Sequence, residues 1–373
     1  MQYTEYGTTG DTVSRLGYGL MRLPMVDNHV DMEISIALIR KAIELGVNYL
    51  DSAEGYCNSE SQIAFGKGIK GLRDKVFVST KNGYKGESGD EWRKRLDTSL
   101  ERIDVDYIDF YHSHGLSWDQ YQNMLGKGGP MERFRKAKEE GLIRHMCYSC
   151  HDSSDNMIKL IDTGEFDGML CQYNLLDRNN EPAIAHAHEK GMGVVIMGPV
   201  AGGRLVPPSD QIQNMVGGAQ STPEVAVRFV LSNPNVTIAL SGMNSMDMVV
   251  ENAATASREE PLTAAERQSV LDALEETKDL SDLYCTGCGY CMPCPNDVDI
   301  PGNFSAMNYY KVWGLEEHAR SQYNRLGKKK KDDTVVEAWA AACVECGECE
   351  PQCPQNIPII EQLKETHAAL GAE

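Results

Sequence analysis

From residue 14 to about residue 256 the chain alternates short apolar runs with amphipathic stretches. The runs at Leu16–Leu20, Asn48–Asp51, Val76–Thr80, Tyr107–Ser113, Arg144–Tyr148, Met169–Gln172, Val194–Met197 and Val236–Ala239 predict strands. Helical spacing predicts helices over Glu33–Leu45, Ser59–Lys67, Trp92–Ile103, Met131–Glu140, Asn156–Asp162, Ala183–Lys190, Pro223–Ser232 and Met246–Ala256. In the first of these, Ile36, Ile39, Ala42 and Ile43 share one face. Gly46, Gly141 and Gly191 stand where three of the helices must stop. Strands alternating with helices imply a parallel sheet, and eight such repeats in about 250 residues imply a (β/α)8 TIM barrel. The segment before residue 14 reads as a short hairpin plugging the barrel's bottom. Thr263–Lys278 reads as a helix leading out of it.

The pattern changes near residue 283, so we expect a barrel over 1–282 and a second, mostly helical domain over 283–373. Phe304–Leu326 and Thr334–Ala342 have helical character. The tail also holds two cysteine runs. Cys285, Cys288 and Cys291 are followed by Cys294-Pro295; Cys343, Cys346 and Cys349 are followed by Cys353-Pro354. Three cysteines at three-residue intervals and a fourth before proline form the ferredoxin pattern for a cubane [4Fe–4S] cluster. Zinc closes with four ligands per site and has no need of the Cys-Pro endings. Two copies imply two [4Fe–4S] clusters. In two-cluster ferredoxins the Cys-Pro cysteine ligates the other cluster. By that resemblance, Cys285, Cys288, Cys291 and Cys353 hold one cluster, and Cys343, Cys346, Cys349 and Cys294 hold the other.

Composition narrows the setting. With 373 residues, 41% of them hydrophobic, the chain can bury a large core. Its net charge of −19 argues against nucleic acid or an anionic membrane as partner. No apolar run reaches the roughly 18 residues of a membrane span, and the first residues do not read as a signal peptide. Eight of twelve cysteines lie in cluster motifs, which fits a reducing cytoplasm. Cys57, Cys147, Cys150 and Cys171 lie outside them and read as inert thiols. Lys328–Lys331 reads as a solvated loop, with docking of an acidic redox partner as the alternative.

In a barrel, chemistry sits at the C-terminal ends of the strands. There the chain places Asp51 and Tyr56 after strand 2, Lys81 after strand 3 and His114 at the end of strand 4. A nearby Lys⁺ can stabilise a tyrosine phenolate, an Asp can hold that Lys, and a His can donate to a carbonyl oxygen. This set suits adding a proton to oxygen while hydride reaches carbon. His112, two residues before His114, reads as a packed or pocket-lining residue.

These residues carry a resemblance. Tyr49 through Glu60, Ser79 through Lys81 and Asp106 through His114 resemble the signatures of the aldo-keto reductases, and the likeness runs through roughly residues 1–280. With its tail the whole chain resembles the subgroup that carries a ferredoxin-like extension. The resemblance implies reduction of carbonyls to alcohols, or the reverse, with NAD(P)H. Tyr56 would be the general acid, with Lys81 lowering its pKa, Asp51 holding Lys81 and His114 polarising the carbonyl. It also implies cofactor contacts at Gly19, Leu20 and Met21, at Ser149, Cys150 and Gln172, and at Met197 and Gly198. Further contacts are implied at Ser241, Gly242, Met243, Asn244, Met248, Glu251 and Asn252. Two departures stand out. Cys150 and Met197 occupy positions where the family usually has Asn and an aromatic. Thr237 through Ser257 contains no Lys or Arg to pair with a 2′-phosphate, so NADH is the expected cofactor. Substrate choice is left to the loops Tyr84–Gly89, Gly115–Gly129 and Arg204–Gly218. Two rival readings remain: clusters that relay single electrons from a ferredoxin-like partner to the barrel, and a non-catalytic barrel with structural clusters.

Overall fold

The computed structural model of the protein describes residues 1–203, 205–282, 289, 291–331, 334–353 and 357–371. Eight parallel strands close into a barrel in chain order: Leu16–Gly19, Tyr49–Asp51, Phe77–Gly83, Ile108–His114, Ile143–Cys150, Gly168–Gln172, Gly193–Met197 and Ile238–Ser241. They are barrel strands 1 to 8 below. All eight expected strands are present, and so are all eight expected helices, most with shifted ends and Met246–Ala256 with the expected ones.

Local chemistry explains the helix ends. The helix Met32–Glu44 starts where the Asp31 side chain accepts the Ile34 N–H, and the chain leaves it through Gly46 at φ 93°. The helix Gly89–Ile103 opens on a capping box between Ser88 and Glu91. The stretch expected to be a loop from Gly115 to Gly129 contains a further helix, Trp118–Met124. Its signal is a second capping box, Ser117 with Gln120.

The bottom of the barrel is closed by the hairpin of Tyr3–Glu5 with Thr12–Ser14. Tyr6, in its turn, is fully buried and packs with Val13, Tyr49, Phe110, Cys147, Leu170, Val195 and Ile238. The Tyr6 and Phe110 ring centroids are 4.2 Å apart. Gly168 and Gly193, at the bottoms of barrel strands 6 and 7, make this possible. A Cβ on either would come within 2.1 or 2.2 Å of Tyr6 atoms. Burying such a ring stabilises the fold by roughly 2 kcal/mol.

The chain forms two compact units: Met1–Gly202 with Ala226–Thr263, and Gly203–Val225 with Ala264–Glu373. This differs from a simple boundary at residue 282. The helix Ala264–Asp282 groups with the C-terminal unit, as does the segment 203–225. Inside that unit the Ser209 hydroxyl donates to the Trp313 carbonyl at 2.7 Å, tying positions far apart in sequence.

The tail's helices differ from the expected ones. Phe304–Leu326 is not one helix but two, Ile300–Lys311 and Glu316–Leu326, broken where Gly314 takes φ 60°. Thr334–Ala342 is not helical: Thr334–Val336 pairs as a strand with Lys329–Lys331, and a single 3₁₀ turn follows at Ala340–Ala342. Three consecutive β-branched residues at 334–336 favour the strand. Lys329–Lys331 is thus hairpin, not free loop. Ile359–Leu370 adds an unexpected helix. Phe304, Ala319, Tyr323, Ile359 and Leu363 form the core of this unit, and Cys291, Cys294, Cys343, Cys349 and Cys353 pack against it. No described helix is long and apolar enough to cross a membrane.

Candidate active site

Parallel pairing sets Asp51 beside Ser79, Lys81 beside His112 and Gly83 beside His114. Residues two apart on a strand face the same side, so Asp51, Lys81 and His114 meet at one end of the barrel interior. The Lys81 ammonium and the Asp51 carboxylate form a buried ion pair. The second Asp51 oxygen accepts the Ser79 hydroxyl at 2.7 Å. Lys81 Nζ lies 5.3 Å from the centroid of the Tyr56 ring. The His114 ring stands edge-on to Tyr56, with centroids 5.8 Å apart and planes at 87°. The four residues named from sequence are therefore together.

Their electrostatics follow from this packing. Burial alone would push Lys81 down, but Asp51 and Tyr56 outweigh it and hold the ammonium above its ordinary value. Burial pushes the Tyr56 phenol up; Lys81 pulls it down and Asp51 pushes it up again. The net direction is upward. Lys81 acts on Tyr56 in the expected sense, but burial prevails, and the phenol carries its proton at neutral pH. His114 is lowered to about 4, first by burial and then by Lys81. It is neutral at pH 7 and can offer one N–H. A protonated phenol beside a fixed ammonium and a neutral imidazole can donate a proton to an oxygen.

The loop carrying Tyr56 is held tightly. Cys57, Asn58 and Ser59 all take positive φ, at 50°, 55° and 70°. This strained turn brings Ser61 Oγ to the Leu20 carbonyl at 2.8 Å. On the other side, Arg95 holds Glu54 through Nε, 2.9 Å from Oε2. Arg95 Nη1 also donates to Glu87 at 2.7 Å and to the Gly83 carbonyl at 2.6 Å. Sequence reading missed Arg95 because its partners lie in other loops.

The remaining named positions divide by accessibility. At the ends of barrel strands 1, 6, 7 and 8, Gly19, Gln172, Met197, Gly198 and Gly242 lie around the same rim. Met21, Asn244 and Glu251 are exposed and Met248 is partly so. Leu20, Met243 and Asn252 are buried. Asn252 donates to Ser241 Oγ at 3.2 Å, and the Met243 carbonyl accepts from Tyr18 at 2.6 Å. Ser149 Oγ accepts the Gly115 N–H at 2.8 Å. Cys147 and Ser149 share the inward parity of barrel strand 5, whereas Cys150 has the opposite parity and is fully buried, beside Cys171 in register. The same arrangement supplies a cation that the sequence of 237–257 lacks. Arg22 Nη2 donates to the Gly202 carbonyl at 3.3 Å, and Arg22 Cβ and Cδ lie 3.7 Å from where a Gly242 Cβ would stand.

These features fit a nicotinamide dinucleotide. Glycines 19, 198 and 242 leave backbone open to close approach; a Cβ on Gly198 would already meet Gln172 Oε1 at 3.1 Å. In the C-terminal unit, Cys291, Cys294, Cys343, Cys346 and Cys349 line one cavity of about 480 Å³. Burial pushes the Cys349 thiol up, and Glu350, Cys343 and Cys294 add to the rise, so these sulfurs are near one another. Five thiols around a partly apolar cavity are more than the four that one cubane cluster takes, and the set includes Cys291 and Cys294 of the first run. Cys353 does not line that cavity. Cys285 and Cys288 lie outside the described residues.

Comparison with known proteins agrees with this geometry. Residues 15–275 match the aldo/keto reductase family model, and residues 284–357 match a 4Fe-4S dicluster domain. The chain is 28% identical to L-galactose dehydrogenase of Arabidopsis thaliana, over 72% of this chain and 94% of that protein. It is 26% identical to the NADH-specific methylglyoxal reductase of Escherichia coli, over 68% of this chain and 93% of that one. The holo form of aldo-keto reductase AKR11C1 from Bacillus halodurans superposes with a TM-score of 0.64 at 28% identity, covering 73% of this chain and 96% of that one. The barrel, the residues at its mouth and the family match over 15–275 lead to one conclusion: the chain belongs to the aldo/keto reductase family and carries a C-terminal 4Fe-4S dicluster domain.

Proposed function

We propose that the protein interconverts a small carbonyl compound and an alcohol, with Tyr56 giving or taking the proton at the substrate oxygen. The observation that carries this reading is the buried Asp51–Lys81 pair set 5.3 Å from the Tyr56 ring. When bound, a nicotinamide supplies or takes the hydride. The chain's own residues do the rest. Neutral His114 orients and polarises the carbonyl oxygen by hydrogen bonding. Tyr56 passes its proton to that oxygen, and Lys81 stabilises the phenolate left behind. Asp51 keeps Lys81 charged and in place. Tyr56→Phe keeps the ring and removes the proton. It is expected to lower kcat for carbonyl reduction by about 10²- to 10⁴-fold; unchanged turnover rejects Tyr56 as the acid.

NADH is the proposed preferred cofactor. The stretch 237–257 has no Lys or Arg, and one relative is named an NADH-specific reductase. Among the described residues, Arg22 beside Gly242 is a feature on the opposite side. Turnover with NADH and NADPH at equal concentration decides it. The tail is proposed to hold two [4Fe–4S] clusters, with Cys285, Cys288, Cys291 and Cys353 on one and Cys343, Cys346, Cys349 and Cys294 on the other, in a protein working in reducing cytoplasm. Iron and sulfide assays after anaerobic purification give the count.

A further inference from the structure

Asp51, Lys81 and His114 each have a polar residue two positions earlier on the same strand: Tyr49, Ser79 and His112. The side-chain period of a strand puts those three in the layer directly beneath the site. All three are fully buried, among Phe110, Leu170, Val195 and Ile238 of the barrel core. Barrel layers are normally filled by branched apolar side chains, and each buried polar group costs free energy unless bonded. Here the bonds run one way. Tyr49 Oη donates to Ser79 Oγ at 3.0 Å, and Ser79 Oγ donates to Asp51 Oδ1 at 2.7 Å. With its own proton committed to Ser79, Tyr49 can only accept from His112 Nε2, 3.4 Å away. The chain of donors therefore ends on the carboxylate that holds Lys81.

We propose that Ser79, Tyr49 and His112 are positioning residues for the reaction, a directed hydrogen-bond wire that fixes Asp51 and so sets the field Lys81 exerts on Tyr56. The inference rests on the reading of Tyr56 as the acid. With Oδ1 occupied by the wire, Asp51 presents Oδ2 to Lys81 and draws its proton less strongly. Without the wire, Asp51 competes harder for that proton, the ammonium field weakens, and Tyr56 becomes a weaker acid. The titratable groups facing Lys81 are Asp51, Tyr56, His112 and His114. Glu54, Arg95 and His151 face His114, and Cys147 and Tyr6 face Tyr49. None of these supplies a second donor to Asp51 Oδ1 among the described residues.

The test is the pH profile of kcat for carbonyl reduction in Ser79→Ala, Ser79→Thr and Tyr49→Phe. Ser79→Ala is expected to lower kcat about tenfold with a smaller change in KM, and to move the alkaline limb to higher pH by about half a unit or more. Ser79→Thr keeps the hydroxyl and restores both. Tyr49→Phe moves the profile the same way but less, because Ser79 still reaches Asp51. A merely structural role would lower Tm and leave the limb where it is, and that result overturns the wire. Tyr56→Phe is run alongside. Full activity there rejects the acid assignment itself, whereas a dead Tyr56→Phe with an unmoved Ser79→Ala profile rejects the wire alone.

Discussion

Arg95 grips Glu54 two residues before Tyr56, its Nε 3.1 Å from one carboxylate oxygen and 2.9 Å from the other. The same guanidinium donates to Glu87 and to the Gly83 carbonyl, next to His114 in register. One side chain thus ties the loop of the acid to the strand end beside the carbonyl-polarising histidine. Arg95→Met keeps the stem and removes every donor. We expect it to lower kcat about tenfold or more through misplacement of Tyr56, and to destabilise the fold by roughly 2–4 kcal/mol by stranding two carboxylates. Steady-state kinetics and urea unfolding read the two effects separately. Wild-type kcat in a destabilised variant would reduce Arg95 to a structural clamp.

At the opposite end, Tyr6 fills a space that exists because residues 168 and 193 have no side chain. Gly193→Ala should destabilise by about 2–4 kcal/mol through overpacking. Tyr6→Leu in the same chain should recover part of that loss, since it removes the atoms the new methyl meets. Chemical denaturation of the single and double variants checks the coupling; additive losses would mean that the glycine serves something other than Tyr6.

His145 at the barrel bottom bonds Asp11 at 2.7 Å and lies 3.7 Å from Asp167. Burial alone would lower its pKa, but Asp167 and Asp11 win and raise it. A histidine raised on folding contributes stability that is fully present below its unfolded value near 6.5 and fades as pH climbs through the higher folded value. Thermal stability should therefore decline above about pH 6.5, and less steeply in His145→Gln. Parallel melting curves from pH 6 to 8.5 test this; identical slopes would remove His145 as the cause.

The barrel was legible because strand and helix periods differ and the sequence keeps to them over eight repeats. The four residues at its mouth were legible because strand ends can be read from those runs. What escaped were relations across loops. Arg95 meets Glu54 over 41 positions, and Arg22 reaches Gly242 from another strand's loop. Strand parity, which needs a register, gives Cys150 the opposite sense to Cys147 and Ser149. The tail was harder still. Thr334–Val336 is too short for a period to speak, so its β-branched residues decide, against the expected helix.

Arg22 gives a prediction about the cofactor. Its stem lies against Gly242 in the loop after barrel strand 8, and its guanidinium donates to the Gly202 carbonyl in the loop after barrel strand 7. A bound dinucleotide brings phosphates, and an arginine pairs with phosphate in a charge-assisted way. Arg22→Ala should raise KM for the dinucleotide about three- to tenfold, with kcat little changed. If the loss is far larger with NADPH than with NADH, Arg22 serves the 2′-phosphate and the proposed NADH preference weakens. Equal losses place it at the shared diphosphate.

The cysteines of the tail allow a test of crossed ligation. Cys294 ends the first sequence run, yet it lines, together with Cys291, the cavity of Cys343, Cys346 and Cys349 from the second. Cys353 ends the second run and lies outside that cavity. If the Cys-Pro cysteines exchange clusters, each single loss damages the cluster of the other run. Cys294→Ala should deplete the site of Cys343–Cys349, and Cys353→Ala the site of Cys285–Cys291. Iron content alone cannot tell the two apart, because either variant loses about half. Pairing each variant with a Cys346→Ala background does. Cys294→Ala then removes little further iron, since both changes strike one cluster, whereas Cys353→Ala removes most of what is left. The reverse pattern would mean that each run of four closes on its own cluster.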